Sequence, residues 1–376
     1  MLVETVQIEI MKKIKLIISG GGTGGHIFPA VSIAKSIEDK LDNIDILFVG
    51  ANNRMEMKKI PSLGYNIVGL PIIGFQRNLN RRNILFPFKL ILSLFKAFSI
   101  IKNFKPDLVI GTGGYASGPL LFVASIFRIP SLIQEQNSYP GITNRILGRY
   151  VNKICVAYTN MERYFNKEKL VLTGNPIRKD ILNFKDKVIP GKQLFNINNT
   201  KKTVLVIGGS LGAKTINNAI LNNISNIKES RINLIWQTGE LFHLKAKESI
   251  NKLNCQRLKT YDFIKKMDFA YAVADIIISR AGAIAISELC CVGKPVILVP
   301  SPNVSENHQF KNAQSLVNKK AALLVEDRHA SCKLVETLIN LVSNNELQDT
   351  LSSNIKKLAV NDAADSIVNL ALAMRK

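Results

Sequence analysis

Short apolar runs alternate with longer stretches of helical periodicity along the whole chain. The first series of runs predicts strands at residues 14–19, 45–50, 107–111, 131–135, 153–157 and 170–174. A second series predicts strands at residues 203–209, 233–239, 275–279, 295–300 and 321–326. Strands that are apolar throughout and separated by helices are typical of parallel sheets covered on both faces. We therefore expect an α/β protein with two doubly wound, Rossmann-like parallel-sheet domains.

The boundary between these domains is predicted from residues 174–202. This segment is polar, contains Pro176 and Pro190 and leads into a new strand, which is typical of a linker. The expected domains are therefore residues 11–174 and residues 175–376. A weak duplication supports them, because "IKLIISGGGTGGH" and "TVLVIGGSLGAKT" both run from an apolar strand through a glycine-rich turn into a helix. The last helix can pack on either domain, including back on the first one, and the residues before Met11 are expected to be a tail.

The composition adds a strong positive charge and excludes several classes of protein. The formal net charge is +22. General lysine-rich surface explains part of it, but residues 57–106 contain Lys and Arg without any Asp or Glu. The cysteines lack metal-ligand spacing, which favours a reducing compartment over a zinc site or a disulfide framework. The most apolar segment is interrupted by Pro87 and Lys89, and the N-terminus does not read as a secretory signal. We expect a cytoplasmic protein without a membrane span.

Two glycine-rich segments follow predicted strands, where parallel sheets bind ligands. The first matches G-x-G-x-x-G at Gly20, Gly22 and Gly25, but the second strand ends in "FVGANN" without the acidic residue that a dinucleotide site needs. The other, "GGSLGAKT", departs from a Walker A sequence at Ala213, and no apolar strand ends in a Walker B aspartate. Both segments can bind an anion through backbone N–H groups at a helix start. A plain strand-to-helix turn stays the alternative.

A third segment, "SRAGAIAISELCCVGKPVILVP", joins a strand to a helix through a short turn. Glu288 lies about two turns into that helix. Its carboxylate can accept two ribose hydroxyls while the helix start faces a diphosphate. Further along, "SPNVSENHQFKNA" carries amide and imidazole side chains that can reach the same ligand. This combination indicates a nucleotide site.

Several motifs occur in order and at compatible spacings: "GGTGGH", "GTGGYASGP", "QEQN", "GNPIR", "GGSLGA", "SRAGA…SE" and "ENHQ…NA". Together they resemble the MurG family, the UDP-N-acetylglucosamine (UDP-GlcNAc) transferases of peptidoglycan synthesis. The resemblance covers residues 12–370 and implies the GT-B architecture, with two Rossmann-like domains facing a central cleft. It implies inverting transfer of GlcNAc to the 4-hydroxyl of the MurNAc in undecaprenyl-diphospho-MurNAc-pentapeptide (lipid I), which forms lipid II. The acceptor would bind to the N-terminal domain, and the sugar nucleotide mostly to the C-terminal one.

The resemblance also implies site residues. Contacts to UDP-GlcNAc would come from Thr23, Gly24, Gly25, Asn137, Arg178, Ser210, Ile264, Ala283, Ile284, Ala285, Ile286, Ser287, Glu288 and Gln309. His26 would take the acceptor hydroxyl's proton as general base, or it only packs or binds phosphate. Glu135 is the rival proton acceptor, or it only orients Asn137. Tyr115 would contact acceptor or donor, and the sequence leaves open whether His308 or Gln309 makes the sugar contact.

No cofactor and no metal are expected, because the sequence contains no D-x-D carboxylate pair for a magnesium diphosphate. Residues 74–98 mix Phe, Leu and Ile with Arg and Lys. This mixture predicts a surface that docks on the anionic inner face of the cytoplasmic membrane, with part of the segment in the core. Other cell-wall enzymes are further candidate partners. Nucleic acid is not, since no nucleic-acid-binding module is visible.

Two positions depart from the family pattern: Leu211 stands where Gln is common, and Ala281 where Ser is common. Each change removes one potential polar contact to the donor. The alternatives that stay open are another GT-B transferase with a different donor or lipid acceptor, and a sugar-nucleotide sensor without catalysis. A transfer assay with defined substrates separates them.

Overall fold

The computed structural model describes residues 13–74, 84–197, 200–304 and 307–375. The chain divides into two compact units, residues 1–177 with 362–376, and residues 178–361. The strands of the first unit are β1 (Ile14–Ser19), β2 (Ile44–Ala51), β3 (Asn66–Leu70), β4 (Leu108–Gly111), β5 (Ser131–Glu135), β6 (Lys153–Val156) and β7 (Leu170–Leu172). Those of the second are β8 (Thr203–Ile207), β9 (Asn233–Gln237), β10 (Leu258–Tyr261), β11 (Ile276–Ser279), β12 (Val296–Leu298) and β13 (Leu323–Leu324).

Both sheets have the Rossmann strand order. The first runs β3-β2-β1-β4-β5-β6-β7 and the second β10-β9-β8-β11-β12-β13. The strand pairings among the described residues are all parallel. The strand order reverses between β1 and β4 and between β8 and β11, and such points bind ligands at the carboxyl ends of the strands. The predicted fold class, two doubly wound parallel-sheet domains, is confirmed.

Two strands were not predicted from the sequence, β3 and β10. Both are edge strands. An edge strand has one sheet neighbour and more solvent, so it needs no continuous apolar run. The residues "NIVGL" and "LKTY" accordingly mix polar and apolar side chains, and most of them are exposed or half-buried. At the opposite edge, the run predicted at residues 321–326 forms only the two-residue strand β13.

The helices that cover the sheets are α1 (Gly24–Glu38), α2 (Glu56–Lys59), α3 (Phe86–Phe104), α4 (Ser117–Ile126), α5 (Ile142–Leu147), α6 (Lys179–Leu182), α7 (Val188–Leu194), α8 (Lys214–Asn222), α9 (Ile224–Glu229), α10 (Glu240–Lys252), α11 (Met267–Val273), α12 (Ala283–Val292), α13 (His308–Val317), α14 (Ala330–Ser343), α15 (Asn345–Lys356) and α16 (Ala363–Ala373). Within the described ranges, none of them combines the length and the apolar character that crossing a membrane requires.

The segment interpreted as a linker contains the division between the two units, after Ile177, but most of it is folded as part of the second unit. It contains α6 and α7, and Ile181, Phe184 and Phe195 are buried. The sequence hides these helices because each is short and polar residues surround the few apolar ones. The final helix, α16, packs on the first unit. Its side chains bond to α1, with Ser36 Oγ 2.6 Å from Asp365 Oδ1. The expected N-terminal tail lies outside the described residues.

Candidate active site

A buried carboxylate binds the backbone of the loop that follows β1. Glu56 begins α2, just after β2, and is fully buried. Its Oε2 accepts the Gly22 N–H at 2.8 Å, and its Oε1 accepts the Ala51 N–H at 3.0 Å. A Cβ on Gly21 would lie 2.1 Å from Glu56 Oε1, so only glycine allows this approach. The loop therefore has one defined shape, and α1 begins at Gly24.

The imidazole of His26 is oriented by the same loop. His26 Nδ1 lies 2.9 Å from the Gly21 carbonyl oxygen. A carbonyl oxygen only accepts, so Nδ1 carries the hydrogen, and in the neutral ring Nε2 holds a lone pair. Nε2 lies over the turn after β4, because a Cβ on Gly113 would be 3.0 Å from it. This tautomer can accept a proton at Nε2.

Tyr115 follows the glycine turn between β4 and α4. Its ring lies against Gly74, where a Cβ would be 2.2 Å from the tyrosine Cζ. Tyr115 also lines an apolar cavity of about 300 Å³ together with side chains of α3, α4 and α5. Tyr115 is 45% exposed. The residue thus stands between the glycine turn and an apolar groove of the first unit.

Glu135 is occupied by its own loop. Its carboxylate is buried and accepts four hydrogen bonds. Oε1 receives the backbone and side-chain amides of Asn137 at 3.0 and 3.2 Å. Oε2 receives the Gly141 N–H at 3.1 Å and Asn144 Nδ2 at 2.9 Å. All four donors belong to the loop after β5 and to α5, so the contacts of this carboxylate hold that loop and orient Asn137, which is the second of the two roles expected for it.

In the second unit, two helix N-termini lie on either side of the point where the strand order reverses. α8 begins after the turn Gly208–Ala213, in which Ser210 is exposed, and α12 begins after Arg280–Gly282. Neither helix carries an acidic residue in its first turn. The unpaired N–H groups and the helix dipole at both ends attract negative charge, which suits a diphosphate. Ala283, Ile284 and Ala285 supply the first turn of α12.

Glu288 is the acidic residue of α12, the helix that begins at Ala283. Its side chain is 13% exposed, and Oε1 lies 3.6 Å from Arg178 Nε. Its Oε2 accepts the Tyr271 hydroxyl at 3.2 Å. Burial raises the pKa of Glu288, while Arg178 and the Tyr271 hydroxyl lower it, and the net pKa is above the ordinary value. The arginine and the tyrosine hydroxyl thus favour the ionised, hydrogen-bond-accepting form of Glu288 against the effect of burial.

Gln237, at the end of β9, links two loops of this site. Its Nε2 donates to the Gly209 carbonyl at 2.9 Å, and its Oε1 accepts the Ile264 N–H at 2.8 Å. A uracil carbonyl that used the Ile264 N–H would have to displace the Gln237 oxygen. The Ile264 side chain is buried. Gln309, the other expected contact, accepts the Ser301 N–H through Oε1 at 2.8 Å, so its Nε2 is the end that can donate to a ligand.

A second link joins the starts of α8 and α12. Arg280 pairs with Asp327, which also accepts the Thr215 hydroxyl at 3.0 Å. Arg280 donates to the Val299 carbonyl at 3.0 Å as well. Side chains thus brace the turns before both helices. Across the described ranges, no three His, Cys, Asp or Glu side chains come together as a metal site would require.

Known proteins match this chain over nearly its whole length. The glycosyltransferase family 28 N-terminal domain matches residues 16–156, and its C-terminal domain matches residues 203–367. The UDP-N-acetylglucosamine–N-acetylmuramyl-(pentapeptide) pyrophosphoryl-undecaprenol N-acetylglucosamine transferase of Flavobacterium psychrophilum is 49% identical, covering 96% of this chain and 97% of its own. The protein of that name from Cytophaga hutchinsonii is 51% identical, covering 95% and 96%. The crystal structure of Acinetobacter baumannii MurG is 26% identical with a TM-score of 0.76, covering 96% of this chain and 100% of its own.

The chain belongs to the MurG family. The family predicted from the motifs is thereby confirmed. The implied MurG-family site residues fall into two groups, one in each unit. The first group lies at the carboxyl edge of the first sheet and consists of Thr23, Gly24, Gly25, His26, Tyr115, Glu135 and Asn137. The second group lies in the second unit and consists of Arg178, Ser210, Ile264, Ala283, Ile284, Ala285, Ile286, Ser287, Glu288 and Gln309. Their roles stay predictions.

The residues that support the MurG-family site were the ones that the sequence did not reveal. These are Glu56, Gln237, Tyr271 and Asp327. One signal was present for Glu56, which is the only acidic residue between Asp45 and Asp107. In the structure this single acidic residue accepts a hydrogen bond from the loop before His26. The other three have no comparable signal.

Proposed function

We propose that this chain is the enzyme that transfers GlcNAc from UDP-GlcNAc to the 4-hydroxyl of the MurNAc in undecaprenyl-diphospho-MurNAc-pentapeptide, inverting the anomeric carbon and forming lipid II. The observation that carries the proposal is the match to relatives named for this reaction, about half identical over nearly all of both chains. The two groups of residues described above, one in each unit, fit the two substrates. We assign the donor mainly to the second unit and the acceptor to the first.

The donor assignment rests on complementary charge and hydrogen bonding. The N-termini of α8 and α12, with Ser210, bind the diphosphate, and Arg178 adds positive charge. Glu288 accepts the ribose hydroxyls, Ile264 lies against uracil, and Gln309 reaches the sugar. Thr23, Gly24, Gly25 and Asn137 add contacts from the first unit.

The reaction is a single displacement. The acceptor O4 attacks the anomeric carbon as the bond from that carbon to the diphosphate oxygen breaks, and UDP leaves with the electron pair. The O4 proton passes to His26 Nε2, which the Gly21 carbonyl keeps unprotonated in the neutral ring. Backbone N–H groups at the starts of α8 and α12 stabilise the negative charge that develops on UDP.

The acceptor's long lipid chain requires an approach to the membrane. On α3 the side chains of Phe88, Ile91, Leu92, Phe95 and Phe98 are exposed, with Phe95 71% exposed. Lys89, Lys96 and Lys102 lie on the same helix. We propose that this surface docks peripherally on the anionic cytoplasmic face of the membrane, where each cation contributes about 1 kcal/mol. Residues 75–83 of the predicted surface lie outside the described residues. Other cell-wall enzymes stay proposed partners.

The test is transfer of labelled GlcNAc to a short-chain lipid I analogue, with EDTA present and with UDP-GalNAc as a parallel donor. We expect transfer from UDP-GlcNAc only, unaffected by EDTA. His26→Ala should lower kcat by about 10²–10⁴-fold without changing UDP affinity.

The matched control is His26→Asn, whose amide nitrogen can keep the bond to the Gly21 carbonyl while the Nε2 lone pair is lost. It should be as slow as His26→Ala. If either variant keeps the wild-type rate, His26 is not the base. If the donor binds but no sugar reaches this acceptor, the acceptor assignment is wrong and other lipid acceptors become the targets.

A further inference from the structure

Tyr271 is a buried tyrosine whose hydroxyl is directed at the candidate ribose site. It lies on α11 and is 1% exposed. Its hydroxyl donates to Glu288 Oε2 at 3.2 Å. Burial and the neighbouring Glu288 raise the pKa of the phenol well above its ordinary value, so the hydroxyl keeps its hydrogen and acts as donor. A buried hydroxyl requires such a partner.

The two oxygens of Glu288 have partners of different rigidity. Arg178 is 3.6 Å from Oε1 but also 3.7 Å from Asp180 Oδ1, and its side chain is about one-third exposed. It can therefore exchange partners when a charged ligand arrives. The ring of Tyr271 is enclosed by the core and has few rotatable bonds. Tyr271 is thus the contact that fixes the plane of the carboxylate.

We propose that Tyr271 is a positioning residue for ribose recognition, which orients the Glu288 carboxylate so that it accepts both hydroxyls of the donor's ribose. A carboxylate has enough lone pairs to accept the tyrosine and both hydroxyls. Accepting two vicinal hydroxyls requires one orientation of its plane, and without Tyr271 the side chain can rotate. The inference rests on the proposed function, because it assumes that a UDP-sugar binds here.

The test compares Tyr271→Phe with the wild type by calorimetric titration of the full chain with UDP and with 2′,3′-dideoxy-UDP, which lacks both ribose hydroxyls. Tyr271→Phe should weaken UDP binding about five- to twentyfold and leave dideoxy-UDP binding unchanged. The matched control is Tyr261→Phe, on β10 of the same unit, whose ring packs on Phe195. That variant should change neither affinity.

A second measurement keeps the result clear of folding effects. In the Glu288→Ala background, Tyr271→Phe should cause no further loss of UDP affinity, because no carboxylate is left for Tyr271 to orient. Equal weakening of UDP and dideoxy-UDP, additive losses in the double variant, or an unchanged UDP affinity would each overturn the inference. A wild-type chain that does not bind UDP would instead refute the proposed function.

Discussion

Three carboxylates, two in the first unit and one in the second, perform different tasks, and their hydrogen bonds distinguish them. Glu56 and Glu135 accept mainly backbone and amide N–H groups of the loops beside them. Glu288 accepts a tyrosine and faces an arginine. The first two acids therefore stabilise loop shape, whereas Glu288 retains the capacity to accept hydrogen bonds from a ligand.

Glu288 is expected to lower the free energy of unfolding while it contributes to ligand binding. Because burial raises its pKa in the folded protein, folding favours the neutral carboxyl. This stabilising contribution is present below the unfolded pKa and is lost as the pH rises through the folded pKa, so at neutral pH the ionised carboxylate destabilises the fold. Glu288→Gln should therefore raise the free energy of unfolding at neutral pH by about 0.5–2 kcal/mol and weaken UDP binding at least tenfold.

Urea unfolding followed by the fluorescence of Trp236 measures this effect. Trp236 is the only tryptophan of the chain and is fully buried in the second unit, so its signal reports on the unit that holds Glu288. The gain should shrink as the pH falls and the wild-type carboxylate becomes protonated. A variant less stable than the wild type at neutral pH would mean that the Arg178 and Tyr271 contacts outweigh the cost of burial.

At this scale the sequence pointed to the proposed ligand contacts more readily than to the residues that support them. His26 closely follows a glycine turn, and Glu288 lies in the helix that follows another, so local pattern was enough. Glu56, Tyr271 and Gln237 act on partners 34, 17 and 27 residues away. Those pairings depend on how strands and helices pack, which local sequence does not record.

At the scale of elements, glycine turns set the distances between helices and strand ends. Gly113 has φ +98°, and a Cβ there would lie 2.9 Å from His26 Cδ2. Gly113→Ala should displace the imidazole and lower the transfer rate about 10²-fold, since misplacing a reacting group by about 1 Å has that effect. UDP affinity should stay within about twofold, because UDP is assigned mainly to the second unit.

Gly64→Ala is the matched control for backbone strain. Gly64 has φ +90°, but no atom lies within 4 Å of the added Cβ. Both variants should lose stability by about 1–2 kcal/mol, and only Gly113→Ala should lose activity. Equal activity in the two variants would show that Gly113 does not control His26. The comparison needs thermal unfolding and the transfer assay on the same preparations.

The elements themselves could be predicted where burial is complete. Central strands such as β1 and β8 are mostly apolar, and their runs gave the positions of these strands to within two residues. The edge strands β3 and β10, and the helices α6 and α7, could not be recognised. Their few buried side chains gain contacts from neighbours elsewhere in the chain, while the rest face solvent. Partial burial of these strands and helices therefore limited their prediction from the sequence.

At the scale of the whole molecule, the sequence located a basic apolar segment but not its exposed side. In the structure Ala97, Ile100 and Ile101 of α3 are buried, whereas Phe88 and Phe95 are exposed. The exposed surface continues to the end of α4, where Phe127 lies with its ring centroid 5.2 Å from that of Phe98. This is the mixed arrangement expected of a helix that serves both the core and a surface.

The double variant Phe88→Ser/Phe95→Ser should separate membrane docking from catalysis. Both rings are exposed, so folding should change little, but burial of each in a lipid interface would be lost. Sedimentation with vesicles of phosphatidylglycerol and phosphatidylcholine should show binding weakened at least about tenfold. Transfer to the short-chain acceptor should stay near the wild-type rate, since neither ring belongs to the proposed site, whereas transfer to full-length acceptor in vesicles should fall.

Leu241→Ser is the control, because Leu241 is 99% exposed on the second unit and outside this surface. It should bind vesicles like the wild type. Wild-type binding should also weaken as salt is raised and as phosphatidylglycerol is removed, because lysines on α3 attract anionic head groups within a screening length of about 10 Å at 0.1 M salt. Unchanged vesicle binding by the phenylalanine variant would refute the assignment of this face. If vesicle binding depends neither on salt concentration nor on lipid charge, the apolar side chains account for all of the binding and the lysines contribute nothing to it.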